Sequence, residues 1–185
     1  EQAARFLTQS TFGPTEADID RVTALGYSAW IDEQLAKPAP SHRATWEAAN
    51  AAIKAANPNS SAGQDQLLET FWKHALSGED QLRQRVAFAL SQILVVSGNE
   101  VAMAYAGGDW HQMLTVNAFG NYRDILGEVT LSPVMGRYLD MVNNNKANPA
   151  AGTNPNENYA RELLQLFTIG LFELNADGSL KRDAA

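Results

Sequence analysis

The chain has 185 residues, 45% of them apolar and 19% charged, which is enough apolar material for a real core and suits one domain or a large piece of a bigger one. Fourteen Lys and Arg against 21 Asp and Glu give a formal net charge of −7; this argues against nucleic acid and anionic membranes, because phosphate binding needs a positive field. There is no Cys, which excludes disulfides, thiolate zinc sites, Cys-ligated iron–sulfur clusters and a Cys nucleophile.

Residues 3–8 read as a short helix, followed by the loop Ser10-Thr11-Phe12-Gly13-Pro14. Thr15 is placed as an N-cap with Asp18 three residues on as the capping-box acid. Ile19, Val22 and Leu25 keep helical spacing, and Gly26 is placed to end that helix. Ser28 is expected to cap the next helix, which carries Trp30, Ile31 and Leu35 and stops before Pro38 and Pro40. Residues 41–56 are Ala-rich and helical, residues 57–63 form a loop by composition, and residues 64–76 form a helix broken at Gly78. Residues 80–96 give the strongest helical pattern, with Leu82, Val86, Ala89, Leu90, Ile93 and Leu94 recurring at three and four; being apolar nearly all round, this helix belongs near the centre of the core.

Two helices, 100–106 and 110–119, are expected around Gly107-Gly108, then a short one over 122–129. Ser132-Pro133 supplies an N-cap and a proline at N1 for a helix through Met141. An Asn-rich loop covers 143–155. Asn154 or Asn156 is placed to cap the last helix, 157–168, which ends at Gly170, and residues 172–181 carry an Asp-Gly turn that suits a small hairpin. The sum is an all-α, multi-helix bundle of about seven to nine helices with a small C-terminal hairpin, joined by loops of ordinary length. The longest apolar stretch, 86–96, is interrupted by Ser91 and Gln92 and is far short of the roughly 20 residues that span a bilayer. The chain opens at Glu1, for which a processed or trimmed N-terminus is the expectation.

Chemistry-bearing residues concentrate between Asp140 and Glu162. Seven of the sixteen residues from 143 to 158 are Asn. Such an oxygen-rich loop suits calcium or another hard divalent cation, with Asp140, Asn143 and Glu157 as candidate ligands, although the spacing matches no EF-hand; a long solvated loop in which Asn bonds its own backbone is the plainer account. Glu157 and Arg161 stand at i, i+4 in the favourable order for an ion pair. Asn158 and Glu162 are one turn apart and, held inward, would form a buried hydrogen-bond network or a site. Arg83 and Arg85 open the central helix; an inward Arg needs a partner, and Asp140, Glu157 and Glu162 are the candidates. Paired carboxylates also suit general acid–base work. His42, His74 and His111 are too far apart in sequence for a local metal motif, and no nucleophile elbow, phosphate-cradling glycine loop or zinc-protease motif is present.

Four blocks carry a resemblance. They are Ala3-Ala4-Arg5-Phe6-Leu7 with Thr11-Phe12-Gly13-Pro14; Phe71-Trp72-Lys73-His74 with Arg83-Gln84-Arg85-Val86-Ala87-Phe88-Ala89-Leu90; Tyr138-Leu139-Asp140 with Asn143; and PNENYARELLQLFTIG over 155–170. In order and spacing they resemble a large bacterial family of uncharacterised proteins, the domain of unknown function numbered 1800. The resemblance implies a mostly helical, exported protein, periplasmic or extracellular, often encoded beside a second exported family related to alkaline-phosphatase-like proteins. It implies no reaction. The matching polar positions are Arg5, His74, Arg85, Asp140, Asn143, Asn156, Glu157, Asn158, Arg161 and Glu162. Family members usually run longer, so residues 1–185 are expected to form a single helical domain that is the N-terminal part of a longer protein, or to be completed by a partner chain.

Two functions follow. In one, the chain is a helical scaffold or binding module whose polar cluster organises the core and loop. In the other, it is a hydrolase in which His74, Arg85, Asp140, Glu157 and Glu162 gather in a cleft, with or without a divalent cation, and with Arg5, Asn143, Asn156, Asn158 and Arg161 as the ligand-binding or structural network; no cofactor is required by either reading.

Overall fold

The structure, a computed structural model, describes residues 1–98 and 104–181, with side chains described outside 99–107. Ten α-helices fill the described residues: α1 (Gln2–Ser10), α2 (Glu16–Leu25), α3 (Tyr27–Ala36), α4 (His42–Ala56), α5 (Gln64–Ser77), α6 (Gln81–Ile93), α7 (Ala104–Val116), α8 (Tyr122–Leu131), α9 (Pro133–Tyr138) and α10 (Asn158–Leu164). No strand occurs among the described residues; pairing is limited to the isolated bridges Asn148↔Thr153 and Leu174↔Leu180. The all-α expectation holds, and the expected hairpin is reduced to one bridge around the Gly178 turn at φ +82°.

Local chemistry sets most helix ends. Thr15 Oγ1 accepts from the Asp18 N–H and the Asp18 carboxylate accepts from the Thr15 N–H, a reciprocal capping box. Ser41 caps α4 through the Ala44 N–H, and Ser132 with Pro133 opens α9. Gly26, at φ +81°, closes α2 and opens α3, so Ser28 lies inside α3 and not at its cap.

Two apolar clusters are joined through α6. The smaller one gathers Ala3, Leu7, Val22 and Trp30 from α1–α3, with Leu82 of α6 against it. The larger one gathers Leu94, Trp110, Leu114, Ile125, Val129, Met135, Tyr159 and Phe167, with Ala87 of α6 inside it. The central placement expected of α6 is therefore correct, but its buried face is not purely apolar. Arg83 and Gln84 are buried while Ile93 is 47% exposed.

Three elements depart from the sequence pattern. α7 runs unbroken through Gly107 and Gly108. Gly108 is buried with Leu67 of α5 beside it, so close helix packing offsets the roughly 1 kcal/mol that each helical glycine costs. The expected start of the helix over 100–106 lies largely outside the described residues. α9 stops at Tyr138, short of Met141, because Asp140 takes a left-handed backbone at φ +59°. The last helix is α only to Leu164 and then widens into a π-helix, Gln165–Ile169, in which the Thr168 hydroxyl donates to the Leu163 carbonyl five residues back, at 2.7 Å.

Candidate functional site

The polar residues singled out in the sequence fall into separate places. The first is the face formed by the 140–157 loop and α10. Asn158 sits at the first position of α10, where its N–H is taken by Asn156 Oδ1 at 2.9 Å. Its Nδ2 donates to Asp140 Oδ2 at 3.3 Å, and its Oδ1 accepts from Arg161 Nη2 at 2.9 Å. Arg161 also pairs with Glu157 at 3.1 Å and with Glu162 at 3.5 Å. One guanidinium thus serves two carboxylates and an amide, using the planar fork that suits such sharing. The loop is pinned from the other side by a reciprocal pair: Asn144 Nδ2 donates to the Asn156 carbonyl, and the Asn156 N–H donates to Asn144 Oδ1, both at 2.7 Å. Asp140 and Asn143 both hold positive φ, a conformation that short polar side chains tolerate.

His74 and Arg85 are not part of this face. No described hydrogen bond or ion pair joins them to Asp140, Glu157 or Glu162. Arg85, on α6, donates from Nε to the Gln9 carbonyl at 3.3 Å and lies over Phe12 and Phe88 at 5.3 and 5.7 Å. Arg5 is exposed on α1. Arg83 is the inward arginine, yet it meets no carboxylate among the described residues. Its two terminal nitrogens donate to the Thr115 and Lys37 carbonyls at 3.3 and 3.0 Å, and its guanidinium lies 4.6 Å from the Phe119 ring. Backbone dipoles and an aromatic face take the role expected of an acid. Among the described residues, no group of three or more His, Asp or Glu is arranged to hold a metal ion.

The second place was not legible in the sequence. The chain's three histidines converge where α4, α5 and α7 meet. The His42 ring lies 4.4 Å from that of His74 and 6.2 Å from that of His111. His42 is 1% exposed. Gln84 Nε2 donates to Asp80 Oδ2 at 3.0 Å, which leaves Gln84 Oε1 as an acceptor, so His42 Nε2 is the protonated nitrogen facing it at 3.3 Å. Thr115 donates its hydroxyl to the His111 carbonyl and offers its oxygen to the same His42 N–H at 3.4 Å. His42 Nδ1 is buried without a hydrogen-bond partner. Protonating it would bury a charge with an unmatched donor. Burial, reinforced by repulsion from His74 and His111, accordingly pulls the His42 pKa down to about 3. Burial also lowers His74, against the opposing pull of Asp80, and lowers His111. His74 Nε2 faces the Thr45 hydroxyl at 3.1 Å.

This arrangement holds three neutral imidazoles inside the helices. The faint sequence signal for it was Gln84, an amide in the middle of an apolar helix. His42 and Thr115 carried none, because their meeting depends on how α4 crosses α7.

Comparison with curated proteins gives no match, and comparison with solved structures gives none. The four blocks that carry the resemblance begin on α1, on α5 and α6, at the end of α9 and just before α10, and all but Ala3 and Ala4 fall within residues 5–180, over which the chain matches one family model. The chain belongs to the family described as protein of unknown function (DUF1800).

Proposed function

We propose that this chain is a helical scaffold or binding module of an exported bacterial protein, periplasmic or extracellular, whose polar face holds the Asn-rich loop against α10. The observation that carries this reading is the occupancy of that face. Glu157 and Glu162 are engaged by Arg161, and Asp140 by Asn158. Each carboxylate is held through one oxygen by a partner on the same face, the pattern of a network that fixes the loop in place. A further protein surface, from the same polypeptide or from a partner, is supported by the exposed apolar side chains of Leu164, Leu166, Ile169, Leu171, Phe172 and Leu174, since contiguous apolar exposure marks interaction surfaces.

The test is turnover by the purified protein on phosphoester, glycoside and peptide substrates, with and without calcium. No turnover is expected, whereas Arg161→Met is expected to speed amide hydrogen exchange across 140–158. Turnover that disappears in both Asp140→Asn and Glu162→Gln would establish the hydrolase reading in its place.

A further inference from the structure

A groove of about 590 Å³ runs between α1 and α6, within the size range of small-molecule sites. Phe6, Leu82, Val86, Phe88 and Ala89 give it apolar walls, and Arg85 is the one charged side chain lining it among the described residues. Three features of Arg85 matter together. Its Nε–H is spent on the Gln9 carbonyl, which fixes the plane of the guanidinium. The rings of Phe12 and Phe88, themselves in edge contact, lie together against it and restrict its rotamers. Its terminal nitrogens have no carboxylate among the described residues, in a chain that carries 21 Asp and Glu. Arg21, Arg43 and Arg161 each hold a carboxylate, whereas Arg85 shares the lack of one with other arginines and differs from them in lining this groove. A guanidinium preorganised in an apolar groove and lacking an anion is complementary to a ligand with one anionic head and an apolar body.

We propose that the α1–α6 groove binds a small aliphatic carboxylate, with the carboxylate on the Arg85 guanidinium and the chain along Phe6, Leu82 and Val86. A planar carboxylate accepts two parallel N–H bonds from the terminal nitrogens, while the walls remove the aliphatic chain from water. The inference goes beyond the scaffold reading and rests on different residues, so either can fail alone.

Isothermal titration with decanoate tests it, with decanol, decylamine and acetate as the arms that remove the charge, reverse it and remove the chain. Decanoate is expected to bind at least tenfold more tightly than each of the three, a difference that one charged hydrogen-bonded head supplies. Arg85→Gln is expected to weaken decanoate tenfold or more. Because Arg85→Gln also disturbs the contact with Gln9, Ala89→Trp provides a second route: it fills the groove from an exposed position, keeps Arg85, and is expected to abolish decanoate binding with an unchanged melting temperature. Absence of decanoate binding, equal binding of decanol, or unaltered affinity in Ala89→Trp overturns the proposal.

Discussion

Acidification should destabilise this protein through His42, and the size of the effect follows from its surroundings. The imidazole is neutral in the folded state, with a pKa near 3 against 6.5 when unfolded. A depressed histidine means that the unfolded chain binds the proton first. Stability from this group is therefore intact above pH 6.5, falls as pH drops below it, and stops falling only near pH 3. At 1.36 kcal/mol per pH unit, the loss between pH 7.5 and pH 5 is about 2 kcal/mol. Any folded-state value below about 4 gives nearly the same loss at pH 5, so the figure depends on burial and not on the last fraction of a unit. The assay is urea unfolding at both pH values for the native protein and for His42→Gln, which keeps an amide donor for Gln84 but cannot titrate. The variant is expected to lose about 2 kcal/mol less than the native protein over that interval. His74 and His111 are lowered chiefly by their own burial and remain present in the variant, so the difference between the two proteins reports mainly on His42. If both proteins lose the same amount, His42 is not held neutral by burial and the account of the histidine cluster is wrong.

Leu114 is fully buried in the larger cluster, and Leu114→Ala is expected to cost about 2–5 kcal/mol in urea unfolding at pH 7.5. A cost below about 1 kcal/mol would show that the cluster does not pack as described. Tyr122 Oη donates to the Phe167 carbonyl at 2.7 Å, tying the start of α8 to the π-helix. Tyr122→Phe is expected to cost about 1 kcal/mol and to raise amide exchange over Gln165–Ile169 more than elsewhere.

The sequence alone determined what short-range chemistry controls. The Thr15–Asp18 capping box, the Ser132-Pro133 helix start and the Gly26 helix end each depend on neighbours within four residues, and each stands where the pattern placed it. The apolar period likewise made the chain all-α, because helical spacing of core side chains is a local property. The pairing of Glu157 with Arg161 was equally local. Tertiary structure decided the rest. Gly107 and Gly108 suit a break, but α7 runs through both, with Gly108 packed beside Leu67 of α5. Arg83 took carbonyls and a ring because those lay within reach of its end, whereas the acids did not. The convergence of His42, His74 and His111, separated by 32 and 37 residues, is set by the crossing of three helices. No local pattern encodes a crossing, because burial energy is summed over whole helix faces and is indifferent to which polar residues those faces bring together.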